Sequence, residues 1–242
     1  MARPVAVVTN AAQYAGPGAV TALLAAGYAV ICHDDRFTDE AVHVEFLAQN
    51  AGALIHSSKT AAAVLTYTVQ EFGRIDLLVS NDVFPLQHVP LETAEASDMR
   101  RACEALIVTP YSLLVKAATV MKRQGKGHVI LITSAAPLFP EPGFSTYCTA
   151  RAGASALVGI AVRELAPYGI SVNAIAPNYL ASETYYPADI WDTHEARERL
   201  RNLLPAGRLG KASEIGSLIV FLSSGQADFI NGEVINLTGG WP

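Results

Sequence analysis

At 242 residues, 51% hydrophobic and only 16% charged, the chain has ample material for a buried core and no compositional sign of disorder. Its formal net charge of −5, with Lys and Arg scattered, excludes a general affinity for nucleic acid or anionic membranes. Three cysteines, Cys32, Cys103 and Cys148, are odd in number and lack CxxC spacing, which argues against a disulfide framework or a zinc site.

"MARPVAVVTN" runs straight into a strand pattern without a leader-like apolar segment, and no stretch reaches about 18 uninterrupted apolar residues. A reducing cytoplasm is the expected setting. The first strand, "VAVVT", is followed by the turn "TNAAQYAGPGAV", which carries only Gly16 and Gly18 and sets the bulky Tyr14 where a phosphate cradle needs open space. With Pro17 inside the first helical turn, this reads as a tight strand-to-helix turn and not as a nucleotide fingerprint.

A helix over 19–26 leads to the second strand, "AVICH". Asp34 and Asp35 after it could hold a ribose hydroxyl in a dinucleotide enzyme; without a phosphate site they are expected to form a solvated turn. Helices over 38–50, 61–72, 94–121 and 147–166 alternate with the strands "ALIHS", "DLLVS", "HVILIT" and "SVNAIA", and "EVINL" closes the series. The run "MKRQGK" reads as a solvated helix end. Strands apolar on both faces, separated by crossover helices, predict a single-domain α/β fold over residues 1–242. It is a Rossmann-like, doubly wound parallel sheet of about seven strands with right-handed crossovers. One segment, 178–194, is irregular and carries Tyr179, Tyr185, Tyr186 and Trp191; it is expected to be a binding lid outside the carboxyl ends of the strands.

Ser134 follows the strand "HVILIT", and Tyr147 and Arg151 stand four apart in "STYCTARAGA". On a helix such a pair shares one face, so a fixed cation lies beside the phenol, stabilises its anion and lowers its pKa from the usual ~10. Ser134 can then hold a substrate oxygen against the tyrosine. Cys148, with no His near it in sequence, reads as a small buried thiol and not as a nucleophile.

These residues, with "VTN", "LVSNDVF", "ITSAAP" and "APNYL", resemble the short-chain dehydrogenase/reductase superfamily over nearly the whole chain, and within it the halohydrin dehalogenase branch. The superfamily's usual Tyr-x-x-x-Lys has Arg151 in place of the lysine. "VSND" at 79–82 stands where an Asn-Asn-Ala-Gly run is usual, and Ile107 where the dehydrogenases keep a helix asparagine. The resemblance implies a cofactor-independent lyase. Tyr147 takes the hydroxyl proton of a vicinal haloalcohol, Arg151 tunes it, Ser134 binds the oxygen, and the oxygen displaces halide to give an epoxide. The reverse reaction opens an epoxide with halide, azide, cyanide or nitrite.

By the same resemblance Tyr14, Pro177, Asn178, Tyr179, Leu180 and Tyr186 form the halide pocket, Tyr14 filling the phosphate and nicotinamide space. Phe84, Pro137, Phe139 and Phe144 are candidates for an apolar substrate wall, with core packing an equal reading for each. A homotetramer pairing the two longest helices is implied, and Trp241 and Pro242 suit either a subunit interface or an open substrate pocket. An NAD(P)-dependent alcohol dehydrogenase or ketoreductase with Arg in place of Lys is the alternative, and it requires a working phosphate cradle. A non-catalytic small-molecule-binding relative would leave Ser134, Tyr147 and Arg151 unexplained.

Overall fold

Short runs of Val, Ile and Leu that are apolar on both faces can only be satisfied between two helical layers, and the chain builds that arrangement. The structure, a computed structural model, describes residues 3–56 and 60–242; residues 1–2 and 57–59, among them Ser57, the last residue of "ALIHS", lie outside the described residues. The strands are β1 (Val5–Thr9), β2 (Ala29–His33), β3 (Leu54–Ile55), β4 (Leu77–Asn81), β5 (Gly127–Ile132), β6 (Ile170–Pro177) and β7 (Val234–Leu237). They form one parallel sheet in the order β3-β2-β1-β4-β5-β6-β7. The order reverses between β1 and β4, so a crevice opens at the carboxyl ends of the strands there.

Alternation along β1 divides the core. Ala6 and Val8 face one apolar layer with Val20, Leu23, Ile215 and Ile219, while Val5 and Val7 face the other with Leu113, Ala117, Met121 and Val158. The first layer is supplied by α1 (Gly16–Ala25) and, late in the chain, Ala212–Ser223. A Cβ on Gly18 would collide with the Ala212 carbonyl, and one on Gly216 with the Gly18 carbonyl, so these two helices touch backbone to backbone. The second layer contains α3 (Ala61–Phe72); α2 (Glu40–Gln49) packs Phe46 on the first, its first turn capped by the Asp39 side chain on the Ala41 N–H.

The helix expected over 94–121 is α4 (Ala96–Cys103) continuing through a wider turn at Glu104–Val108 into α5 (Thr109–Gln124). The Thr109 N–H reaches back five residues to the Glu104 carbonyl, immediately before Pro110, which has no N–H to give. The 29-residue unit is long and apolar enough to cross a membrane by length and hydropathy, but Leu106, Leu113, Ala117 and Met121 are buried within the chain's own core. Next come α6 (Ser145–Leu165), α7 (Ala188–Trp191), α8 (His194–Leu203) and α9 (Ala212–Ser223). The aromatic segment is therefore partly helical: α7 and the first residue of α8 fall inside 178–194.

Candidate active site

Ser134 lies two residues beyond β5, buried, with its hydroxyl oxygen accepting the Ala136 N–H at 3.1 Å. Gly143, at φ +85°, turns the chain into α6, whose first turns carry Tyr147 and Arg151. Both point inward, Tyr147 at 5% exposure and Arg151 at 0%. A fully buried guanidinium needs partners. Its Nη1 donates to the Ile132 carbonyl at 3.0 Å, and its Nη2 to the Asp82 carbonyl at 2.9 Å and the Tyr185 hydroxyl at 3.5 Å. Nε has no protein partner among the described residues. The guanidinium carbon sits 5.1 Å from the Tyr147 ring centroid.

Neutral carbonyls thus fix the charge without cancelling it. Burial pulls the Arg151 proton affinity down, but the phenol oxygens of Tyr147, Tyr185 and Tyr14 more than offset this and hold it above its ordinary value. The Asp82 carboxylate accepts the Ser80 hydroxyl at 2.7 Å. Burial pushes Asp82 up to about 6, against that hydrogen bond and the charge of Arg151.

A cavity of about 220 Å³ opens over this cluster. Its wall brings together Ser134, Tyr147, Tyr14, Pro177, Asn178, Tyr179, Tyr186, Phe139 and Phe144. Arg151 stands behind that wall, under Tyr147 and Tyr185. Besides Arg151, three residues named from the sequence fall outside it. Leu180 is buried in the core and bridges to Gly210, and Pro137 is half-buried in the short turn after Ser134. Phe84 packs beside the cluster of Leu106, Tyr147 and Cys148 while its backbone brackets the Tyr185 hydroxyl. Burial also pushes the Cys148 thiol up, so it is not poised as a nucleophile.

The sequence placed Tyr185 and Trp191 only within the expected lid and gave no role to Arg199 or Glu141, which also line the wall. Tyr185 is the centre of the aromatic cluster, with its ring edge-on to Tyr14 at 4.8 Å and to Tyr147 at 6.2 Å. Its hydroxyl donates to the Phe84 carbonyl at 2.9 Å; the only signal was its place among four aromatics. Trp191 and Trp241 box Tyr179 at 6.4 and 5.8 Å, and Tyr186 packs against it at a tilt, 5.3 Å between ring centroids. Trp241, left between an interface and an open pocket, is buried within its own chain and lines the cavity. Asn178 Oδ1 accepts both the Tyr186 hydroxyl and the Tyr179 N–H at 3.0 Å. Arg199 adds a cation to the wall and the exposed Glu141 a carboxylate. Burial, reinforced by neighbouring phenols, pushes Tyr14 and Tyr186 up and Tyr185 up to about 12, so all three stay protonated near neutrality.

The first turn does not fit a dinucleotide. Tyr14, 5% exposed and at φ +47°, lines the cavity shared with Ser134 and Tyr147. The two glycines face protein: a Cβ on Gly16 would collide with the carbonyls of Asn10 and Ala11, and Gly18 abuts Ala212. Asp34, expected in a solvated turn with Asp35, is buried at 4% exposure and its carboxylate is occupied by the loop itself; only Asp35 is exposed.

Comparison with known proteins adds to this geometry. The family model described as enoyl-(acyl carrier protein) reductase matches residues 12–242. A solved halohydrin dehalogenase, HheC, bound to ethyl (2S)-oxiran-2-ylacetate, is 37% identical, with TM-score 0.94 over 98% of this chain and 97% of that one. A solved "dehalogenation enzyme" is 34% identical, with TM-score 0.94 over 99% and 98%. Among curated relatives, the cis-4-hydroxycyclohexanecarboxylate dehydrogenase of Sinomonas cyclohexanicum is 33% identical over 99% of this chain and 97% of its own. The 3-oxoacyl-[acyl-carrier-protein] reductase FabG of Staphylococcus aureus is 28% identical over 97% and 96%.

Proposed function

We propose, from the premise that this chain belongs to the short-chain dehydrogenase/reductase superfamily, that it is a halohydrin dehalogenase, converting small vicinal haloalcohols to epoxides without a nicotinamide cofactor. The observation that carries this reading is Tyr14: a buried tyrosine from the first turn shares a small cavity with Ser134 and Tyr147, on the side where a dinucleotide would have to enter. The likeness to HheC supports it further. The relatives named as oxidoreductases match nearly the whole chain, and dinucleotide chemistry would require a cradle that Gly16, Gly18 and Asp34 do not offer.

In the proposed reaction Ser134 donates a hydrogen bond to the substrate oxygen, and Tyr147, with the Arg151 guanidinium fixed beside its ring, takes the hydroxyl proton. The freed oxygen pair attacks the adjacent carbon, and the carbon–halogen bonding pair departs with the halide. No electrons are left over for a redox partner. The departing anion meets the positive edges of Tyr179, Tyr186 and Trp191, the charge of Arg199, and the protonated Tyr14. In reverse, a small anion attacks an epoxide carbon and the Tyr147 phenol returns the proton to the oxygen.

We also propose that the chain assembles as a homotetramer. Val108, Tyr111 and Val115 expose an apolar stripe at i, i+3 and i+7 on the long helix, and Ile160 is exposed on α6. Halide release from 1,3-dichloro-2-propanol, with no nicotinamide present, tests the catalytic reading; Tyr147→Phe is expected to abolish it.

A further inference from the structure

The loop between β1 and α1 contains two non-glycine residues in the left-handed region, Asn10 at φ +44° and Tyr14 at φ +47°. Such residues cost energy and persist only where surrounding structure holds them. One of the holds is Asp34. Its Oδ2 accepts the Ala12 N–H at 2.9 Å; its Oδ1 accepts Gln13 Nε2 at 3.2 Å and the Arg36 N–H at 2.9 Å. The Arg36 side chain donates to the Ala12 carbonyl at 3.4 Å. On the far side of the loop, the Tyr14 N–H donates to Thr184 Oγ1 at 3.0 Å, so Tyr14 is tied to the aromatic segment as well.

We infer that Asp34 is a positioning residue for the halide seat: by gripping residues 12 and 13 it fixes Tyr14 against Tyr185 in the cavity wall. A carboxylate at the end of β2 would hold ribose in a dinucleotide-binding sheet. Here the same position closes the crevice and shapes the anion site. The inference rests on the halohydrin dehalogenase reading. Replacing Asp34 by Asn leaves one acceptor oxygen and turns an NH₂ toward a backbone donor, so at least one of the three bonds is lost. The loop then relaxes and the Tyr14 ring leaves its place.

Trp191 and Trp241, the chain's two tryptophans, both line the cavity, so bromide binding is readable without turnover as saturable quenching of tryptophan fluorescence. The wild type is expected to saturate, and Asp34→Asn to weaken bromide roughly tenfold or more, the scale of one well-placed contact. Gln13→Ala, a milder removal of one Asp34 donor, is expected to weaken it in the same direction and decides the matter if Asp34→Asn does not fold. Unchanged bromide affinity in Gln13→Ala, or in a folded Asp34→Asn with a lowered melting temperature, would overturn the positioning role while leaving the halide seat intact. No saturation in the wild type would instead remove the halide seat itself, and the inference with it.

Discussion

The Arg151 guanidinium carbon stands 5.1 Å from the Tyr147 ring centroid while two of its nitrogens are fixed by the carbonyls of Ile132 and Asp82. Arg151→Lys offers one compact ammonium that cannot span both carbonyls and still face the phenol. The anion of Tyr147 thereby loses its fixed positive neighbour. We expect kcat/KM to fall by roughly 10–100-fold near neutrality. An unchanged kcat/KM in a folded variant would contradict this role for Arg151.

Asp82 makes stability depend on pH. Its folded-state value, near 6, lies above the ordinary 3.8, so folding favours the protonated acid. That contribution is full below about pH 4 and is lost as pH rises through 6, on the order of 3 kcal/mol in all. Asp82→Asn is expected to flatten this slope, so that its unfolding free energy falls less than the wild type's between pH 4 and 7. Equal slopes in urea titrations at the two pH values would refute the assignment.

Gly18 and Gly216 set the distance between α1 and α9. Because the obstruction is backbone carbonyl in both cases, neither helix can yield by a rotamer change. Gly18→Ala and Gly216→Ala are each expected to cost at least about 1–3 kcal/mol, the range of an overpacked core. Thermal denaturation unchanged to within a degree would show that the helices can separate freely.

The proposed homotetramer predicts that light scattering will find four chains per particle, with the exposed stripe Val108, Tyr111 and Val115, and Ile160, at its interfaces. Val115→Asp and Ile160→Asp are expected to reduce the particle to dimers or monomers. A monomeric wild type would dispose of the tetramer.

Much of the architecture was legible because its causes are local. Runs such as "VAVVT" and "HVILIT" are apolar on both faces, and only a sheet covered on both sides satisfies them. The spacing of Tyr147 and Arg151 on one helix was equally readable. What escaped was set by distant parts of the chain. Trp241 enters the cavity because the carboxyl-terminal segment folds back over Tyr179, and nothing in "TGGWP" announces that. Asp34 looks like any turn acid until its partners Ala12 and Gln13, more than twenty residues earlier, come to lie against it. The widened turn at Glu104–Val108 left only Pro110 as a trace. Phe84 reads in the sequence as an apolar wall or core residue, yet its backbone is what the site uses, through Tyr185.

Expulsion of halide from a haloalcohol with no nicotinamide involved is read by following halide release from 1,3-dichloro-2-propanol in dialysed protein, alone and with added NAD⁺, NADP⁺, NADH or NADPH. Steady release with epoxide formed one-to-one, the same rate in every tube, and no thermal stabilisation by micromolar nucleotide are expected. No release in any tube, together with clear stabilisation by NADH or NADPH, would contradict the claim and assign the chain to the dehydrogenases.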